Sequence, residues 1–332
     1  MIISRTPFRI SFFGGGTDYP AWYREHGGAV LATAIDKYCY ISCRFLPPFF
    51  EHKYRIVYSR IENVMEVSQI EHPSVREVLL WMNCVRGIEV HHDGDLPARS
   101  GLGSSSSFTV GLINALMAMK GEYVSKEKLL QHALHVEQDL IKENVGSQDQ
   151  VSAAYGGFNK IEFRQDGAID VNPVILRPER RESLESHLMM FFTGISRFSS
   201  DVAKAKIDNL NLRKTELRMM RALVDEALSI LGRATDDLDD FGRLLNESWQ
   251  YKRKLSDKVT TPEIDQIYEA AISAGALGGK LLGAGGGGFL MFFARPEQHA
   301  AIREKLKALI YVPIKFDTSG SKIVMYQPNG LG

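Results

Sequence analysis

The stretch LPARSGLGSSSSF, residues 96–108, is the part of the chain from which the rest is best interpreted. It follows a predicted strand at 87–92 and precedes an apolar run at 109–119 that is typical of a helix. Gly101 and Gly103 allow backbone angles that a side chain would forbid. A glycine turn that enters a helix presents free N–H groups and the positive end of the helix dipole, which suits a phosphate. The alternative is an ordinary turn before a helix.

Length and composition describe an ordinary globular protein. The 332 residues, 44% hydrophobic and 24% charged, can form one large domain or two medium ones. Forty basic and forty acidic residues balance, so nothing favours nucleic acid or a membrane surface as a partner. Three cysteines without CxxC spacing argue against a disulfide framework and a zinc site. We expect no membrane span and no signal peptide, and therefore a cytoplasmic location.

Two further glycine runs accompany the first, GGG at 14–16 and GAGGGG at 283–288. No GxxxxGK[ST] pattern occurs, so none of the three is a Walker A loop. The last run matches GxGxxG, but an apolar strand follows it instead of a helix, which excludes the dinucleotide-binding interpretation. The protein-kinase signatures HRD and DFG are absent. A tight turn remains the alternative for each run taken singly.

The order of predicted elements indicates an α+β protein with two domains, residues 1–182 and 183–332. A charged stretch with a proline at 177–186 marks the predicted boundary. Continuous helices are expected at 126–143 and from about 200 to 231. Acids intersperse the basic residues of the second helix, among them Lys204 and Lys206, so we expect a solvated face there.

Three segments together carry a resemblance to a known family. PFRISFFGGGTDYPAWY at 7–23, LPARSGLGSSSSF at 96–108 and KLLGAGGGGF at 280–289 resemble the three motifs of the GHMP small-molecule kinases, in the same order and spacing. The resemblance spans essentially the whole chain. It implies a two-domain α+β fold, with an N-terminal domain like ribosomal protein S5 domain 2 and a ferredoxin-like C-terminal domain.

Within that family the first motif is most similar to the sugar branch, in particular to kinases of D-glycero-D-manno-heptose 7-phosphate and their fucokinase relatives. The resemblance implies ATP-dependent phosphorylation of the sugar's anomeric hydroxyl to the 1,7-bisphosphate, for surface polysaccharide. ATP, Mg²⁺ and a small sugar phosphate are the implied ligands, and a homodimer is possible. The alternatives are an L-fucose or related sugar 1-kinase and a non-catalytic sugar/ATP sensor on the same fold.

The resemblance also implies roles for individual residues. Asp149 matches the catalytic aspartate and Arg9 the arginine of the first motif. Glu137 and Ser105 match the magnesium ligands. Taken without the motifs, Glu137 would be an acid on a solvated helix face, Asp149 a first-turn acid, and Arg9 a member of a strand-end salt bridge.

Two larger sets follow from the motifs. The implied nucleotide-binding residues belong to the second motif: Pro97, Arg99, Ser100, Gly101, Leu102, Gly103, Ser104, Ser105, Ser106 and Ser107. The implied substrate-binding residues come from three loops: Gly15, Gly16, Thr17, Asp18, Thr193, Gly194, Arg197, Gly285 and Gly286. For Asp18, an N-cap of the short helix that follows is a second expected role. Arg197 is predicted to hold a distal phosphate of the substrate, with Lys160 and Arg99 as alternatives.

Overall fold

The protein is described by a computed structural model that covers residues 1–98, 100–195, 199–235 and 237–328. Two β-sheets with helices packed on them make up the chain. The strands of the larger sheet are β1 Ile2–Phe13, β2 Gly28–Phe45, β3 Tyr54–Val57, β4 Ile61–Val64, β5 Ile88–Gly94, β6 Phe158–Phe163, β7 Ile169–Pro173 and β12 Lys322–Tyr326. Those of the smaller sheet are β8 Leu188–Phe192, β9 Gly278–Leu281, β10 Phe289–Phe293 and β11 Ile310–Val312.

The helices fall into two groups along the chain. The first group comprises α1 Pro20–His26, α2 Pro73–Trp81, α3 Ser104–Met119, α4 Lys126–Leu134 and α5 Gln148–Tyr155. The second comprises α6 Pro178–Ser186, α7 Ser199–Asn209, α8 Lys214–Leu231, α9 Asp239–Lys254, α10 Pro262–Ser273 and α11 His299–Lys305. Short 3₁₀ turns occupy Val67–Gln69, Leu210–Leu212 and Pro296–Gln298, and a π-helical turn occupies His135–Leu140.

Strand β2 is central to the larger sheet because its 18 residues are long enough to pair with two strands on one side. It pairs antiparallel with β1 along most of its length, with β6 through residues 28–33, and with β5 through residues 39–45. The parallel pair is β3 with β5. The last strand, β12, pairs with β1 and so brings the C-terminal segment back to this first sheet.

The smaller sheet is antiparallel, in the order β11-β8-β10-β9, and its strand β10 is buried throughout. Aromatic rings connect it to the larger sheet. Phe241 of α9 lies 5.2 Å from Phe13 of β1 and 5.5 Å from Phe293 of β10, measured between ring centroids. Large buried aromatic side chains contribute strongly to packing, so this row of rings holds the two sheets together.

The α+β fold class is confirmed, and two predicted helices differ in detail. The helix expected at 126–143 is an α-helix only to Leu134 and continues as the π-helical turn. The helix expected at 200–231 is two helices, with a 3₁₀ turn at Leu210–Leu212 between them. The division at residue 182 stays a prediction, to which the topology adds that β12 belongs with the first sheet. In the described part of the chain, no helix is long and apolar enough to cross a membrane.

Candidate active site

A cavity of about 260 Å³ lies where all three glycine runs meet. Strand β1 and the turn after it form one wall, and the loop before α3 with the helix start forms the next. The rest of the cavity wall comes from the segment that leads into α5 and from parts of α7, α9 and β9. Its charged lining residues are Arg9, Asp18, Glu143, Asp149, Lys206, Lys252 and Lys280. A concave site with converging charges is where ligand binding is expected.

The start of α3 faces this cavity without a side-chain cap. Gly103 occupies the N-cap position with a φ of +74°, and no side chain accepts a hydrogen bond there. A Cβ at Gly103 would lie 3.3 Å from Arg9 Cγ and 3.4 Å from the Asp149 carboxylate. Glycine therefore leaves the left-handed turn unstrained and keeps the helix N-terminus open toward the cavity, as anion binding requires.

The second and third glycine runs are in backbone contact. A Cβ on Gly283 would stand 2.4 Å from the Cα of Gly101, and one on Gly101 would stand 2.7 Å from the carbonyl oxygen of Leu282. A Cβ on Gly288 would meet the carbonyl oxygen of Ser100 at 2.1 Å. No side chain fits between these backbones, so the glycines of the third run hold the loop of the second in place.

Arg9 and Asp149 form a two-point ion pair beside the loop. Arg9 Nε donates to Oδ1 of Asp149 at 2.8 Å, and its Nη2 donates to Oδ2 at 2.7 Å. Arg9 Nη1 also donates to the carbonyl oxygen of Gly101 at 2.7 Å. Such a forked pair fixes the plane of the carboxylate. The first-motif arginine, the glycine loop and the first turn of α5 are thus tied at one point.

Glu137 lies behind the start of α3, with none of its surface exposed. Its Oε2 accepts a hydrogen bond from Ser106 Oγ at 2.9 Å and another from Gln150 Nε2. Its Oε1 is buried and has no hydrogen-bond partner. Burial, with the charge of Glu143 second, raises the pKa of Glu137 to about 7. A buried carboxylate oxygen without a partner suits a bound cation, so these residues fit a magnesium ligand set.

The hydroxyl that contacts Glu137 belongs to Ser106 and not to Ser105. Consecutive residues of an α-helix point about 100° apart, so Ser106 turns inward while Ser105 is exposed on the cavity side. Among the described residues no cluster of three or more His, Cys, Asp or Glu side chains could hold a metal. A magnesium ion here would therefore depend on Glu137, a serine hydroxyl, and oxygens from nucleotide and water.

Asp18 turns into the cavity wall instead of capping α1. The N-cap of α1 is Tyr19, so the expected capping role of Asp18 is wrong. Asp18 is 3% exposed and accepts hydrogen bonds from Gly16 N at 2.8 Å and Gln148 Nε2 at 2.9 Å. Burial raises the pKa of this carboxyl, and the negative charge of Asp149 acts in the same direction. A fixed acceptor of this kind suits a sugar hydroxyl.

Three buried lysines are the functional candidates that sequence reasoning missed. Lys206, Lys252 and Lys280 line the cavity and are 2–5% exposed. Lys206 had been expected on a solvated face, and the structure overturns that expectation for this residue. Lys280 opens the third motif, which was a usable signal. Nothing in the local pattern around Lys206 or Lys252 indicates burial.

Comparison with known proteins identifies the family of this chain. Residues 64–157 match the family described as GHMP kinases N terminal domain, and residues 219–311 match GHMP kinases C terminal. The chain belongs to the GHMP kinase family. It is 30% identical over 309 residues to D-glycero-alpha-D-manno-heptose 7-phosphate kinase of Campylobacter jejuni, covering 89% of this chain and 90% of that protein.

Two further comparisons bear on function and fold. The bifunctional fucokinase/GDP-fucose pyrophosphorylase of Arabidopsis thaliana is 25% identical over 333 residues, which are 91% of this kinase and 30% of that protein. The crystal structure of a D-glycero-D-manno-heptose 1-phosphate kinase from Bacteriodes thetaiotaomicron superposes with a TM-score of 0.78 at 22% identity, covering 98% of this chain and 99% of that chain. The family, the two-domain fold and the assignment as a kinase enzyme, predicted from three motifs, are confirmed.

The structure brings many of the predicted site residues of this kinase to the cavity. Those that line it are Arg9, Gly15, Gly16, Asp18, Gly101, Gly103, Ser104, Ser105, Ser106 and Asp149. Arg99 and Arg197 lie outside the described residues. The remaining predicted residues do not line the cavity: Pro97, Ser100, Leu102, Ser107, Thr17, Glu137, Thr193, Gly194, Gly285 and Gly286.

Several of these non-lining residues support the walls instead. Thr17 Oγ1 donates to the carbonyl oxygens of Gly14 and Ala29, inside the fold. Ser107 Oγ donates to the carbonyl oxygen of Pro7, and Thr193 Oγ1 to that of Gly288. These hydroxyls donate to the backbone in this arrangement, and the predicted contacts of the three residues with ligands stay predictions.

Proposed function

We propose that this kinase transfers the γ-phosphoryl group of ATP to the anomeric hydroxyl of D-glycero-D-manno-heptose 7-phosphate, giving the 1,7-bisphosphate. The observation that carries the reaction type is the meeting, in one cavity, of the open N-terminus of α3 with the Arg9–Asp149 pair. The acceptor is inferred from the Campylobacter relative. Such a product would serve nucleotide-activated heptose for a bacterial surface polysaccharide, in the cytoplasm.

The phosphates of ATP would lie at the start of α3. Ser104, Ser105 and Ser106, whose backbone N–H groups belong to the first helical turn, line that side of the cavity. The helix dipole favours negative charge at this end. The predicted nucleotide-binding segment 97–107 supplies both the loop and the helix start.

A magnesium ion fits beside these phosphates. The Glu137 carboxylate, with the hydroxyl of Ser105 or Ser106, would hold it. When bound, magnesium would neutralise part of the charge on the transferred phosphoryl group. Glu137 has to be ionised for this role, and a nearby cation would favour the ionised form against the effect of burial.

The phosphoryl transfer itself would involve Asp149 and Arg9. As the anomeric oxygen forms its bond to the γ-phosphorus, the bond from that phosphorus to the β,γ-bridging oxygen breaks and ADP leaves. The hydroxyl proton passes to the Asp149 carboxylate, whose orientation the fork of Arg9 fixes. The positive charge of Arg9, which lines the same cavity, would also stabilise the transferred group. Asp18, Gly15 and Gly16 would position the sugar.

The two alternatives have unequal support. The fucokinase relative favours an L-fucose or related sugar 1-kinase on the same geometry. The assembled Arg9–Asp149 pair and the buried Glu137 argue against a non-catalytic sugar/ATP sensor. A sensor has no need for a proton acceptor at the reacting hydroxyl. A homodimer stays a prediction.

Measured ADP formation tests the proposal. The full chain would be assayed with ATP and magnesium against heptose 7-phosphate, unphosphorylated heptose, L-fucose and galactose. We expect the highest kcat/KM with heptose 7-phosphate. A higher value with L-fucose would establish the alternative sugar kinase, and no ADP above background with any sugar would favour the sensor.

A further inference from the structure

Lys206 is a buried lysine on a helix whose charge pattern predicts a solvent-exposed face. It lies in α7 and is 5% exposed, whereas Lys204, two residues earlier, is exposed to solvent. Lys206 and Ala203 both line the cavity, so this face of α7 forms part of its wall. Burying a lysine is unfavourable unless an acceptor or an anion compensates it, and the position therefore calls for a partner.

The two neighbouring lysines already have partners. Lys252 Nζ donates to the carbonyl oxygens of Leu281 at 2.6 Å and Gly283 at 2.7 Å. Lys280 Nζ donates to the carbonyl oxygen of Phe12 at 2.7 Å. The Nζ of Lys206, by contrast, makes no hydrogen bond or ion pair with any residue that the structure describes. Of the three ammonium groups, it is the one available to a ligand.

The charges of the cavity indicate what that ligand is. Four cationic side chains line the cavity against the carboxylates of Asp18, Glu143 and Asp149. Asp149 is already paired with Arg9, and Asp18 accepts two hydrogen bonds from neutral donors. Glu143 lies in the segment that leads into α5. A neutral sugar would leave the Lys206 ammonium group without a directly bonded anion, whereas a phosphorylated acceptor would supply one.

Lys206 shares the cavity with Asp18, Gly15 and Gly16, the residues proposed to position the sugar. Its charge interacts with Asp18, the candidate ligand of sugar hydroxyls. The nucleotide phosphates, in contrast, are expected at the start of α3.

We infer that Lys206 binds the distal phosphoryl group of the acceptor and so selects a sugar phosphate over the unphosphorylated sugar. The inference rests on the proposed function, since it deepens the same site. The sequence predicts Arg197 for this role, and that residue lies outside the described residues. The alternative Lys160 does not line the cavity, and its Nζ pairs with Glu162 at 2.9 Å and Asp225 at 3.1 Å.

Substitutions at Lys206 and Lys204 test the inference. Wild type, Lys206→Met, Lys206→Arg and the matched control Lys204→Met would be assayed with heptose 7-phosphate and with unphosphorylated heptose. Lys206→Met should lower kcat/KM for the phosphorylated sugar by roughly 10- to 100-fold, the effect of a lost charge-assisted hydrogen bond, and change the unphosphorylated sugar much less. Lys206→Arg should keep most of the preference, and Lys204→Met should change neither value.

The outcomes separate the two proposals. Equal losses on both sugars in Lys206→Met would overturn the role of Lys206 while leaving the kinase activity standing. A wild type that does not prefer the phosphorylated sugar would overturn the proposed acceptor, and with it this role. If Lys206→Met does not fold, as judged by circular dichroism, Lys206→Gln provides the neutral variant. Calorimetric titration with heptose 7-phosphate in the absence of nucleotide should show the same loss of binding.

Discussion

Arg9 and Asp149, separated by 140 residues in the chain, are joined by two hydrogen bonds of 2.8 and 2.7 Å. The first comes from strand β1 and the second from the first turn of α5. The backbone N–H of Arg9 also donates to the carbonyl oxygen of Leu102 at 3.0 Å, so the same residue anchors the glycine loop. The geometry of the carboxylate therefore depends on the strand, the loop and the helix together.

Replacing Asp149 by asparagine tests its role in proton transfer. Asparagine keeps the size and polarity but loses the charge and the proton affinity. We expect turnover to fall by roughly 10²- to 10⁴-fold, the usual contribution of general-base action, while ATP binding and melting temperature change little. ADP formation and nucleotide titration measure the two effects. Asp166→Asn, in an exposed hairpin turn, is the matched control. An Asp149→Asn variant with more than half the wild-type rate would remove the residue from catalysis.

Replacing Glu137 by glutamine tests the magnesium site. The substitution removes the one fully buried carboxylate beside the start of α3 among the described residues, and with it the unpartnered Oε1 charge. We expect the magnesium concentration for half-maximal rate to rise, while sugar binding measured without nucleotide stays the same. Glu122→Gln, on an exposed loop, should leave the magnesium titration unchanged. The same magnesium curve for wild type and Glu137→Gln would exclude Glu137 as a ligand.

The loops of the site could be predicted because their chemistry is local. Glycine runs at 14–16, 101–103 and 283–288 mark places where the backbone takes unusual angles or passes close to another backbone. The structure shows such approaches at Gly101 and Gly283. A glycine can be recognised in the sequence itself. Positions that suit a positive φ or a close backbone approach can therefore be predicted without knowing which segment lies opposite.

The buried lysines could not be predicted because their environment is supplied by distant parts of the chain. Lys206 stands in a helix whose basic residues alternate with acids, and only the packing of α7 on the cavity buries it. The contact between Ser106 and Glu137 was missed for a similar reason. A one-residue change along a helix rotates a side chain by about 100°, and the π-helical turn that carries Glu137 has no clear sequence signal.

A methyl group at Gly283 should disturb the contact between the two glycine loops. Gly283→Ala places a Cβ 2.4 Å from the Gly101 Cα, whereas Gly121→Ala, at a similar positive φ, meets nothing within 4 Å. The left-handed conformation alone costs about 1–2 kcal/mol for alanine. Overpacking adds about 1–3 kcal/mol for Gly283→Ala only. Thermal melting should therefore show a larger loss for Gly283→Ala, and ATP affinity should fall in that variant alone. Equal melting losses would show that the loops adjust freely.

The pH dependence of the reaction should report the charge on Lys206. Burial lowers the pKa of Lys206 to about 8, and the carboxylate of Asp18 opposes that shift. The other charged groups that line the cavity are Arg9, Lys252, Lys280, Asp18, Glu143 and Asp149. Burial lowers the pKa of Lys280 to about 7, so its positive charge is already reduced at the pH where Lys206 loses its own. Because the ammonium form exists below this pKa, kcat/KM for heptose 7-phosphate should fall as the pH rises through about 8. The acceptor phosphate is already a dianion there, since its second pKa is about 6.

The comparison of two sugars and two enzymes checks this expectation. Unphosphorylated heptose should lack the extra fall in kcat/KM. In Lys206→Arg the extra fall should disappear for heptose 7-phosphate as well, since a guanidinium stays protonated throughout the range. An identical alkaline fall in wild type and Lys206→Arg would assign it to another group.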